Sequence, residues 1–150
     1  MRAILAALMA ALTFAPWIVS ACDFMPVRIE GSIGKVGNVT IELGESIGKP
    51  TPTAWQGPMT ISIAAAPACT VSDDVSIVEG PIALAGGILY VPTYSGSTSI
   101  VYAVEAKTCA VIWRSKDYEG AAAFKPGRLI TGTKAIPVDR RCRPMSRSAM

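Results

Sequence analysis

The chain has 150 residues, 14 of them basic and 11 acidic, with four cysteines, no histidine and a net charge of +3. Without histidine, Ser-His-Asp and Cys-His catalysis, HExxH zinc sites and histidine-held haem are excluded. The small net charge argues against nucleic acid as a partner, because neutralising phosphates takes many clustered Lys and Arg. After Met1-Arg2 the chain runs uncharged from Ala3 to Val19 and ends in the small residues Ser20-Ala21. A positive start, an apolar middle and a small-residue end are the marks of an export signal over residues 1–21. The stretch is short for a membrane span, which needs about 20 apolar residues, and Pro16 interrupts it.

At its end, Val19-Ser20-Ala21-Cys22 places an aliphatic residue and two small ones before a cysteine. This junction resembles the lipobox of bacterial lipoproteins. The resemblance implies lipidation at Cys22, with a diacylglyceryl group on the thiol, further (palmitate-type) acyl chains, and a mature protein held to a membrane of the cell envelope. In Gram-negative members an aspartate next in line, here Asp23, implies retention at the inner membrane, facing the periplasm. The other reading is an ordinary cleavage site that leaves Cys22 free for a disulfide. The remaining cysteines are Cys69, Cys109 and Cys142, and an exported chain can keep disulfides. With Cys22 lipidated three thiols remain, an odd number; with Cys22 free, four cysteines allow three connectivities.

Beyond Cys22, Pro26, Gly31 and Gly34 discourage helix, so residues 22–34 read as a tether for the lipid anchor, leading into a β-rich domain over 35–138. Val39–Leu43 and Met59–Ile63 alternate apolar and polar residues, the period of half-buried strands. Between them, Gly44 to Gly57 carries two prolines and three glycines and reads as an irregular connection. Ala64–Cys69 reads as loop because of Pro67. Asp73-Asp74 marks a turn, since no further oxygen ligands follow at calcium-loop spacing.

Four β-prone runs follow at 82–85, 88–94, 99–105 and 110–114, separated by Gly86-Gly87, Ser95–Thr98 and Ala106–Cys109. They predict an antiparallel meander over 82–114. Pro92 has no N–H to give to a ladder, so its strand is expected at an edge or bulged there. Residues 86–113 resemble one blade of the quinoprotein-type β-propeller, in Gly-Gly-Ile-Leu-Tyr-Val, Tyr-Ala-Val-Glu-Ala-Lys-Thr and Val-Ile-Trp. The glycine usual after Lys-Thr in such blades is Cys109 here, and no second copy stands at a blade-sized interval. A propeller takes at least about four blades of roughly 40 residues, so the family's cofactor chemistry is not carried over. Gly127–Gly132 and Lys134–Val138 predict a further hairpin near Gly132-Thr133. Asp139–Met150 holds four arginines against one aspartate and reads as a flexible basic tail.

The fold expected is mainly β: one small antiparallel sheet, sandwich or partial barrel. A bridge between Cys69 and Cys109 would tie the loop entering the meander to a hairpin end, although Cys142 could equally partner Cys109. Trp113 and Tyr90, at strand positions, are expected in the core. Trp55, in the Pro/Gly-rich connection, is expected at the surface as a binding residue. Arg140, Arg141 and Arg143 offer contacts to anionic lipid headgroups or an acidic partner. No Cys-x-x-Cys, phosphate loop or selected carboxylate pair is present, so neither enzyme nor metal nor cofactor is expected. The reading is a small non-catalytic envelope lipoprotein that binds or scaffolds another envelope component, with a secreted, disulfide-bonded inhibitor or ligand-binding module as the alternative.

Overall fold

The computed structural model describes residues 22–150, so the export signal expected at 1–21 lies outside the described residues. Among the described residues there is no helix, and sixteen strands form three antiparallel sheets, none of them closed into a barrel. The first sheet has the order β2 (Arg28–Glu30), β3 (Ile33–Val36), β4 (Val39–Glu42), β7 (Thr60–Ile63), β8 (Cys69–Thr70). The central sheet is the expected meander: β10 (Ala83–Ala85), β11 (Ile88–Ser95), β12 (Thr98–Glu105) and β13 (Val111–Arg114). It is widened by β1 (Met25–Pro26) on β10, and by β9 (Val78–Glu79), β6 (Ala54–Gln56) and β5 (Glu45–Ile47) beyond the far half of β11. The third sheet is β14 (Ala122–Lys125), β15 (Arg128–Thr131) and β16 (Lys134–Pro137), with its second turn at Gly132-Thr133.

Chemistry at the turns explains the central hairpin. Gly86 and Gly87 both take positive φ, 56° and 77°, the conformation that a tight two-residue turn with the twist of its strands requires. The β11–β12 ladder then runs without a slip from Ile88 opposite Glu105 to Ser95 opposite Thr98. Its side chains alternate between two interiors. Leu89, Val91, Tyr102 and Val104 join Ile41, Leu43 and Ile61 of the first sheet, whereas Ile88, Tyr90, Val101 and Ala103 join Leu129 of the third. The middle of the central sheet, β10 and most of β11 and β12, is thus buried on both faces, which explains its long apolar runs. Trp113 and Tyr90 are core residues, as expected. Phe24 and Phe124 pack on the Tyr90 ring at centroid distances of 5.1 and 6.1 Å.

Several expectations need correction. Pro92 is neither at the sheet edge nor bulged: it pairs in register with Val101. On its other side β10 ends at Ala83–Tyr90 and β9 begins at Thr93–Val78, so the missing N–H falls in a gap between two short strands. The bulge lies instead between Ala103 and Val104, where β12 meets β13. Gly44–Gly57 is not irregular throughout, because β5 and β6 pair from Glu45–Gln56 to Ile47–Ala54. Residues 22–34 do not stand apart as a tether: Cys22 is buried, Met25 pairs with Leu84, and Val27 N–H donates to Ile82 O at 2.9 Å. Residues 139–150 are likewise built into the body. Met145 N–H donates to Pro137 O and Ala149 N–H to Arg114 O, at 2.9 and 3.0 Å, so this segment crosses from the third sheet to the edge of the central one.

Candidate functional site

Two cysteine pairs stand at bonding separation, Cys69–Cys109 with Cα atoms 5.8 Å apart and Cys22–Cys142 with Cα atoms 5.6 Å apart. Among the described residues no cysteine is free. Cys109 ends the turn between β12 and β13 with φ 59°, its N–H donating to Glu105 O at 2.9 Å. A cysteine here takes the left-handed backbone that glycine adopts without strain, and its pairing joins that turn to the edge strand β8. The second pair joins the first described residue to the C-terminal segment and rests on Gly86. A Cβ on Gly86 would come within 2.8 Å of Cys142 Sγ. The buried Tyr90 hydroxyl donates to Cys142 O. Burial, with the Asp139 carboxylate adding to it, raises the Tyr90 phenol well above its ordinary range, so it stays protonated as a donor.

The loop holding Cys142 is shaped by Asp139. Its Oδ1 accepts from the Arg141 and Arg143 N–H groups at 2.8 and 2.9 Å. The Arg143 N–H first, then the Arg141 N–H and both guanidinium charges, hold its carboxyl below the usual range against the opposing effect of burial. Arg140, Arg141 and Arg143 are exposed around this loop, with Arg143 4.0 Å from Glu105. Trp55 is not with them and not at the surface. It is 5% exposed in the core between the first and central sheets, its Nε1–H donating to Gly31 O at 2.8 Å. The connection that holds it is a strand pair, which turns the indole inward, where an N–H partner is required. The arginines and Cys22 are therefore brought together, and Trp55 is left apart.

A cleft of about 720 Å³ opens at the far end of the third sheet, within the range of small-molecule sites, roughly 300–1,000 Å³. Three separate stretches build it. The loop Lys116–Glu119 forms one wall, the β15–β16 turn with Thr131, Thr133 and Lys134 another, and Ser146-Arg147 of the C-terminal segment the rim, with Trp113 at the base. Each is held in place by pairing. Tyr118 exchanges backbone bonds with Ser99 at 2.8 and 3.0 Å, and the Trp113 indole N–H donates to Ser146 O at 3.1 Å. Asp117 pairs with Arg114 at 3.2 Å. The cleft thus presents hydroxyls, three basic side chains and the Glu119 carboxylate. Burial, then the Glu79 charge, pushes the Tyr118 phenol up to about 12, and its hydroxyl is buried with no partner among the described residues.

Sequence reasoning missed the cleft, because its walls and rim are ordinary polar turns in three separate parts of the chain. Only Trp113 and Tyr118, aromatics flanking the bend after β13, could have drawn notice. Among the described residues no group of three or more His, Cys, Asp or Glu is placed to hold a metal ion, and no helix is long and apolar enough to cross a membrane. Against known proteins, no family model matches the chain, and no curated protein or solved structure matches it.

Proposed function

We propose that the protein is a small, exported, non-catalytic module that binds another envelope component in the cleft between its central and third sheets. The observation that carries this reading is the cleft itself, assembled from three distant stretches and offering hydroxyl and charged groups around an aromatic base. Photo-crosslinking in cells tests it, with the photoreactive residue at Thr133 in the cleft or at Thr40 on the outer face of the first sheet. A discrete adduct from Thr133 and none from Thr40 is expected. Equal labelling from both positions, or none from either, refutes the cleft as the site.

Two forms of the N-terminus follow from the residues. The lipobox-like Val19-Ser20-Ala21-Cys22 supports a lipid-anchored protein, facing the periplasm if the source is Gram-negative, with inner-membrane retention suggested by Asp23. The position of Cys22 beside Cys142 supports the other form, a secreted, doubly disulfide-bonded module, because one sulfur cannot be both a thioether and half of a disulfide. We take the disulfide form as the one the geometry favours. Intact mass with detergent partitioning decides: a water-soluble chain lacking four hydrogens relative to the fully reduced one is expected, whereas acyl mass on the Cys22 peptide replaces this form with the lipid-anchored one.

A further inference from the structure

The charges of this molecule are unevenly divided. Residues 22–110, which include the whole first sheet, carry four basic and eight acidic side chains, a net of −4, whereas residues 111–150 carry nine basic and three acidic ones, a net of +6. The second stretch is spatially coherent, since it comprises β13, the third sheet and the C-terminal segment that joins them. The charge is therefore divided along the chain, and this C-terminal stretch holds nine of the thirteen basic side chains of residues 22–150. Such an asymmetry orients a protein toward an anionic surface even when its total charge is small.

The position of residue 22 says which surface. Gly127 N–H donates to Cys22 O at 2.9 Å, and Cys142 lies 5.6 Å away between Cα atoms. Lys125 and Arg128, cross-strand neighbours, flank the turn holding Gly127, and Arg140, Arg141 and Arg143 surround Cys142. All five are exposed. The apolar segment of 1–21 thus joins the body among five basic side chains. The acids at this end are Asp23, Asp139 and Glu105; Asp139 is engaged by backbone N–H groups and Glu105 lies beside Arg143. With residues 1–21 read as the export signal, as proposed above, the end that meets the bilayer first is the basic end.

We propose that this end is a docking surface for an anionic lipid bilayer. Arg140, Arg141, Arg143, Lys125 and Arg128 would sit at headgroup level, with the first sheet, whose two basic and two acidic side chains cancel, turned away. Basic side chains near such a surface each add to binding, and their effect decays within a Debye length. Docking of this kind needs no acyl chain, so it would hold the disulfide-bonded form at the membrane after the leader is cut. The inference rests on the export reading given above, on the location of residue 22 and on the charge division, and is independent of what the cleft binds.

The test uses the exported, leader-free chain with both cysteine pairs oxidised, sedimented with vesicles of phosphatidylcholine alone or containing phosphatidylglycerol. Binding to the phosphatidylglycerol vesicles only is expected, with loss when salt rises from about 0.05 M to about 0.5 M and screening shortens to a few ångströms. Arg140→Glu with Arg141→Glu should lower the partition coefficient about tenfold or more. Lys35→Glu with Lys49→Glu makes the same change in net charge on the other part of the molecule and should stay within about twofold. If the glutamate pair does not fold, Arg140→Gln with Arg141→Gln should give a smaller loss in the same direction. Equal binding to both vesicle types, equal losses from the two paired variants, or capture by soluble polyglutamate without vesicle binding would overturn the proposal.

Discussion

The two faces of the central sheet are finished in different ways. Against the first sheet, nineteen buried residues form one core, rich in Val, Ile and Leu, with the Cys69–Cys109 pair at its margin across a separation of 40 residues. Against the third sheet the core has eleven, of which three are alanine and two are Cys22 and Cys142 themselves, 120 residues apart. The larger core offers its sheets the more apolar area. In the smaller one, covalent closure and the Phe24, Tyr90 and Phe124 rings replace part of the missing area. The same bond thus closes a short loop at the margin of the larger core and a long one inside the smaller core.

Breaking the ties measures that difference. In the chain-entropy model, removing the Cys22–Cys142 bridge with paired serines should cost about 5 kcal/mol, and removing Cys69–Cys109 about 3 to 4 kcal/mol. Urea unfolding of the two double variants should therefore rank them in that order, and the third sheet should be released first when the former is absent. A larger loss from Cys69→Ser with Cys109→Ser would reverse the comparison.

Smaller changes sharpen it. Gly86→Ala drives a methyl against Cys142 at a backbone of φ 56° and should cost about 2 kcal/mol, whereas Gly87→Ala, with φ 77° but nothing within 4 Å, should cost about half as much. Thermal denaturation of the two alanine variants separates crowding from backbone strain. Tyr90→Phe removes the hydroxyl donated to Cys142 O and should cost about 1 kcal/mol, since a buried carbonyl loses its partner.

The smallest expected effect is a pH dependence. The Asp139 carboxyl is lowered in the folded state, so its contribution is complete above the ordinary aspartate range and is lost as pH falls through the folded value. Arg141 and Arg143 amide resonances should titrate together below that range, loosening the Cys142 loop while Cys69–Cys109 is untouched. Titration of those amides at an ordinary aspartate pH would remove Asp139 as the organiser of the loop.

Where a segment carries its own period, it could be read directly. Val39–Leu43 and Met59–Ile63 became β4 and β7, and the runs over 82–114 became β10 to β13, because alternation and paired glycines are local signals that their neighbours do not overrule. Glu45–Ile47, Ala54–Gln56 and Ala122–Lys125 gave no such signal, being three or four residues long beside Gly and Pro. They are strands because an edge was free to pair with them. Trp55 was misjudged for the same reason, its surroundings in sequence being polar and its surroundings in space a core.

The β class of the body, the central meander and the absence of histidine are all matters of composition and short period, and the amino-acid order determines them unaided. Which cysteine meets which, that residue 22 lies among arginines, that the last twelve residues bridge two sheets, and that a cleft opens between them are decided only in the folded chain. Each depends on groups as many as 120 residues apart, and β pairing over such separations leaves no periodic trace in the segments it joins.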